Sequence, residues 1–98
     1  MQPRLLLAPE AQADLAEAFA WYEAQREGLG SEFLAEVALV LERIEQMPAA
    51  HAIIRGQTRR ALVHRFPYGV FYVLDPDAIA VTAVMHGRRD PRRWQERR

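Results

Sequence analysis

Apolar residues recur at Ala11, Leu15, Ala18, Phe19 and Tyr22, a spacing that traces one face of an amphipathic helix. Pro9-Glu10 fits its first turn, where proline lacks only an N–H the helix would not use and an acid complements the dipole. Gly28-Leu29-Gly30 ends it. Asp14, Glu17 and Glu23 fall off the apolar stripe and read as solvated. Phe33, Val37, Val40, Leu41 and Ile44 repeat the same spacing in a second helix, from near Ser31 to just before Pro48. Leu34, Ala38 and Leu39 widen that stripe, so the second helix should be covered on more than one side. The short link predicts an antiparallel helical hairpin.

The remaining pattern is that of strands. Arg4 to Ala8 is long enough for one short strand before the hairpin. Ala49 to Thr58 shows no period and contains Gly56, which reads as a loop. Arg59 to Phe66 alternates, with Arg60, Leu62, His64 and Phe66 on one side and Ala61, Val63 and Arg65 on the other. Tyr68 to Leu74 and Ile79 to His86 follow, separated by the turn signal Asp75-Pro76-Asp77. Short links predict a three-stranded antiparallel meander. The expected fold class is therefore α+β: a short N-terminal strand, an antiparallel helical hairpin, then the meander, in the order β-α-α-β-β-β. The 98 residues allow one domain spanning 1–98.

Charge changes this picture, because a formal net charge of zero hides a division. Residues 1–50 carry nine acids and three arginines, whereas residues 51–98 carry ten arginines and four acids. Such asymmetry points to a charged partner. Lysine is absent; in a chain this rich in alanine, codon usage accounts for that more simply than a need for bidentate anion recognition. There are no cysteines, which excludes disulfides, thiolate metal sites and cysteine nucleophiles and suits a reducing, cytoplasmic setting. No apolar run reaches the length of a membrane span, so no membrane partner is expected.

Candidate chemistry gathers in the second half. Arg59, Arg60 and Arg65 belong to the first strand of the meander, and His86, Arg88 and Arg89 follow the last. If the two ends approach, they form one cationic docking surface for an acidic peptide or an RNA phosphate. His86 reads either as a proton shuttle or as an anchor for the tail. Tyr68 and Tyr72 share a strand face with Val70 and read as core or groove lining. Asp90-Pro91 has the form of a helix start, and a final helical turn would tuck Trp94 onto the domain. No paired carboxylates, Gly-rich phosphate loop or metal-ligand spacing occurs, so no cofactor or metal is expected.

Four local groups give the chain a resemblance to the RelE/ParE superfamily, toxins of type II toxin–antitoxin modules: Ala13-Asp14-Leu15 with Trp21-Tyr22-Glu23; Gly30 with Phe33; Arg65-Phe66-Pro67-Tyr68 with Tyr72; and His86 with Arg89-Asp90-Pro91 and Trp94. The resemblance covers nearly the whole chain and is closer to the ParE-like group. It implies a growth-inhibiting, plasmid-stabilising toxin held by a cognate antitoxin in a hetero-oligomer. ParE-like members inhibit DNA gyrase without being enzymes, and on that reading no residue is catalytic. RelE-like members instead cut messenger RNA on the ribosome. That alternative would assign His86 to acid–base work and Arg59, Arg65 and Arg89 to the phosphate. On either reading, the expected partner-binding residues are Arg59, Arg60, Arg65, Tyr68, Tyr72, His86, Arg88, Arg89 and Trp94.

Overall fold

From β1 (Arg4–Leu7) the chain passes directly into α1 (Pro9–Gln25), with Pro9 in the first turn. There follow α2 (Leu29–Gln46), a single 3₁₀ turn (Pro48–Ala50), β2 (Ile53–Arg55), β3 (Thr58–Leu62), β4 (Tyr68–Leu74), β5 (Ala78–His86) and α3 (Pro91–Glu96). The computed structural model describes residues 3–87 and 91–97. Strand, helical hairpin and antiparallel β3-β4-β5 meander all stand where the pattern put them, in an α+β fold.

The sheet is larger and more mixed than a three-stranded meander. Its order is β1-β5-β4-β3-β2, and β1 runs parallel to β5, with Arg4 opposite Ala78 and Leu7 opposite Val81. β2 lies within the stretch read as a loop. It is three residues long, too short for alternation to show, and its register against β3 is irregular. Both helices pack on one sheet face. Phe33, Val37, Val40 and Ile44 of α2 meet Val70 and Tyr72 of β4 and Ile79, Val81 and Val84 of β5 in the main core. On the opposite face Phe71, Ala83 and Met85 form a second, smaller cluster under Trp94 of α3.

A bulge sets which β5 residues reach which core. Phe71 lies opposite Ala83 and Tyr72 opposite Val81, so Thr82 is an extra residue. Its hydroxyl donates to the Phe71 carbonyl at 3.4 Å. The insertion shifts the alternation by one: Ile79 and Val81 face the helices before it, and Val84 does so after it.

The α1–α2 link explains Glu23 and Gly30. The first turn of a helix has unpaired N–H groups. The Glu23 carboxylate accepts the N–H of Gly28 and of Gly30, both at 2.9 Å, and so completes the start of α2. Gly28 has φ +88°, the left-handed region that favours glycine. A Cβ on Gly30 would sit 2.7 Å from the Phe19 ring and 2.8 Å from the Phe19 carbonyl oxygen, so only glycine lets the helices close there.

Two details of the expected pattern are corrected. β3 stops at Leu62, because the chain turns through Val63–Pro67 with Arg65 at φ +73°. Phe66 consequently joins Ala61 and Val63 in the helix-side core instead of sharing the side of Arg60 and Leu62. Asp14 is buried, not solvated. It lies three residues after Ala11 and four before Ala18, squarely within the buried stripe of α1.

Candidate functional site

β4 begins and β5 ends at the same end of the sheet, so Tyr68 and His86 are register partners there. Their rings meet edge to face, 5.8 Å between centroids. Tyr68 also packs on Tyr22 and Phe33, which with Phe66 form an aromatic cluster between helices and sheet. The turn is pinned on both sides: the Val63 N–H donates to the Tyr68 carbonyl, and the Gly87 N–H to the Pro67 carbonyl.

Two open grooves flank this pair. One, of about 230 Å³, runs between α1 and the end of β5, with Glu17, half-exposed Trp21, Tyr22 and Arg93 along it. The other, of about 380 Å³, lies where the sheet face opposite the helical hairpin meets the β3–β4 turn; Arg60, Leu62, Phe66 and Pro67 line it with Tyr68 and His86. Both mix aromatic surface with charge, the makeup of a protein-binding rim.

The structure distributes the expected cations instead of pooling them. Arg59 and Arg60 are neighbours on β3 and so point to opposite sheet faces. Arg59 donates to the carbonyls of Ala49 and His51, at 3.1 and 2.7 Å, and ties down the 3₁₀ turn. Arg65, beyond the other end of β3, donates to Glu32 of α2 at 2.9 Å and lies over the Phe66 ring. Hydrogen bonds from Arg65 and then Arg26 hold the Glu32 carboxyl below the usual carboxylate range. Arg59, Arg60 and Arg65 therefore share no single cationic face. Arg88 and Arg89 lie outside the described residues.

Two further expected contact residues belong to the interior. Trp94 stacks on Phe71 with centroids 4.7 Å apart and is nearly enclosed, as a final helical turn tucked onto the sheet requires. Tyr72 is fully buried. Its hydroxyl donates to the Pro48 carbonyl at 2.6 Å and lies 3.1 Å from His51 Nδ1, which must then be the donor to the phenol oxygen. Tyr72 thus anchors the 3₁₀ turn and presents no surface to a partner.

Burial pushes the Tyr72 phenol above its ordinary range, partly offset by Arg59. A raised phenol pKa keeps its stabilising effect below the unfolded value near 10.0 and loses it as pH rises through the folded value. Tyr72→Phe should cost about 1–2 kcal/mol at neutral pH, since two hydrogen bonds go. It should also remove a component of the 295 nm titration that ionises above the usual tyrosine range. An unchanged titration would show that Tyr72 is not enclosed.

Sequence reasoning missed the most deeply placed charge pair. Arg97 donates to Asp14 through its two terminal nitrogens, Nη1 at 2.6 Å and Nη2 at 3.3 Å, and through Nη1 to the Thr82 carbonyl at 3.1 Å. Asp14 also accepts the Val84 N–H at 3.0 Å. β1 ends at Leu7, opposite Val81, so these two side chains pair the β5 edge just beyond it. The opposed halves of the sequence attract one another across the fold: Asp14 with Arg97, enclosed, and Glu32 with Arg65, nearer the surface. The charge division is thus partly satisfied within the chain.

No helix among the described residues is long and apolar enough to cross a membrane. No curated protein sequence matches the chain. A solved chain from the chromosomal ParDE TA system of P. aeruginosa shares the fold, with a TM-score of 0.78 at 13% sequence identity, covering 87% of this chain and 96% of that one. Residues 5–91 match the family described as the ParE toxin of the type II toxin–antitoxin system parDE. The match takes in the hairpin, nearly all of the sheet and the groove beside the β3–β4 turn, and on it the chain belongs to the ParE toxin family.

Proposed function

We propose that the chain stops growth by inhibiting DNA gyrase, as a non-enzymatic binder, and that a cognate antitoxin neutralises it in the cytoplasm within a hetero-oligomer. The observation that carries this reading is the commitment of the arginines. A metal-independent ribonuclease needs several cations converging on one phosphate beside an acid–base group. Arg59 is engaged by the carbonyls of Ala49 and His51, and Arg65 by Glu32, at opposite ends of β3. Neither is directed to His86. The grooves beside Tyr68 and His86 instead offer aromatic and apolar surface with scattered charge, which suits a protein partner.

A supercoiling assay decides the target. Purified toxin added to gyrase, relaxed plasmid and ATP should block supercoiling and accumulate cleaved plasmid after protein denaturation. Full supercoiling at saturating toxin would refute gyrase inhibition. The ribonuclease reading keeps one supporting observation, that Arg60 and His86 line the same groove. Mapping transcript 5′ ends after induction tests it: new ends within translated messages would displace the gyrase reading.

A further inference from the structure

Arg60 is half-buried, and among the described residues no hydrogen bond or ion pair reaches its guanidinium, although its backbone N–H donates to the Ala52 carbonyl. This separates it from Arg59, Arg65 and Arg97, each of which is engaged. Partial desolvation of a guanidinium is unfavourable unless an anion compensates it. The fold nevertheless seats this side chain. A Cβ on Gly69, on the neighbouring strand, would fall 3.0 Å from Arg60 Cγ and 3.1 Å from Cδ, so the aliphatic stem lies directly on the glycine backbone. Beside it Leu62 is 65% exposed, a large apolar side chain at the rim of the same groove.

We infer that this groove receives an acidic side chain of the antitoxin, with an adjacent apolar side chain covering Leu62; the inference rests on the antitoxin reading above. A carboxylate matches a guanidinium in a planar, bidentate contact. A nucleic-acid backbone would fit less well, because its binding depends on several cations spaced along the strand. Here one uncommitted arginine stands among Leu62, Phe66, Pro67 and Tyr68. An isolated cation bordered by apolar surface is the complement of one acid flanked by an apolar anchor.

The test uses the product of the open reading frame adjoining this chain's gene, immobilised and titrated with refolded toxin. Arg60→Gln should weaken binding about tenfold or more, chiefly through faster dissociation, and Arg60→Lys should restore part of it. Leu62→Glu, at an exposed position that should tolerate the change, should weaken binding comparably by placing a like charge beside the incoming acid. Arg55→Gln, on exposed β2, should bind as wild type does. If wild type binds while Arg60→Gln and Leu62→Glu match it, the groove assignment is wrong and the antitoxin reading stands. If wild type itself does not bind, both fall. If a 12-nucleotide RNA binds wild type and loses affinity in Arg60→Gln while the protein complex is unaffected, the groove is a phosphate site and the inference is overturned.

Discussion

Asp14→Ala is expected to cost the fold about 3–5 kcal/mol, the effect of breaking a buried ion pair from one side. The carboxylate is nearly enclosed and serves three elements at once: its own helix α1, the Val84 N–H of β5 and Arg97 just after α3. Removing it leaves the Val84 N–H without its acceptor and the Arg97 guanidinium without its counter-charge, held only by the Thr82 carbonyl. Asp14→Asn should lose less, because the amide oxygen still accepts from Val84 while the charge pairing goes. Arg97→Met removes the tie between the end of α3 and the body, so Trp94 should leave Phe71 and its fluorescence should shift to longer wavelength. Trp21, already 52% exposed, provides the unshifted background. Urea denaturation gives the energies, and an Asp14→Ala loss below about 1 kcal/mol, the worth of an exposed pair, would contradict the arrangement.

Phe33→Ala should cost a similar 3–5 kcal/mol, the range for removing a buried phenylalanine. Phe33 is fully buried and contacts the rings of Tyr22, Phe66 and Tyr68 at centroid distances of 5.2, 5.3 and 5.0 Å. The cavity would open beneath both grooves, at the junction of helices and β3–β4 turn. For a domain of this size, whose whole stability is of order 5–15 kcal/mol, that is a large fraction. Leu34→Ala, one residue along α2 and 38% exposed, should change stability by less than about 1 kcal/mol. A denaturant midpoint for Phe33→Ala close to that of Leu34→Ala would mean that the aromatic cluster does not carry the packing assigned to it.

Much of this architecture was legible because periodicity reports burial. Phe33, Val37, Val40 and Ile44 matched the buried face of α2, the alternation of Tyr68, Val70 and Tyr72 placed them together, and Pro91 marked the start of α3; Leu34, Ala38 and Leu39, expected to widen the α2 stripe, are exposed, because α2 packs against the fold on one side only. What escaped has specific causes. Asp14 reads as lying off the apolar stripe yet occupies a core position, and the partner that allows an acid to be buried there lies far along the chain. The Thr82 bulge reassigns faces by one residue, which no alternation rule anticipates. β2 is too short to carry a pattern.

Of the residues the sequence marked for a candidate site, the fold brings only some together. Tyr68, His86 and Arg60 do border one groove. Arg59 turns to the other face, Tyr72 serves the interior, and Arg65 answers Glu32. Charge summed along a sequence does not reveal how much of it the fold neutralises. Here the acidic helices and the basic second half pair at Asp14–Arg97 and Glu32–Arg65, so the excess offered to a partner is smaller than the composition suggests.

The parallel seating of β1 against β5 has a kinetic consequence. Residues 4–7 are separated from their partners, residues 78–81, by both helices of the hairpin and by β2, β3 and β4. The hairpin and meander can form from nearby segments, but the β1 edge of the sheet must wait until β5 has emerged. Closing so distant a contact slows the last step of folding, and until then Leu5 and Leu7 lack the β5 strand they finally pair with.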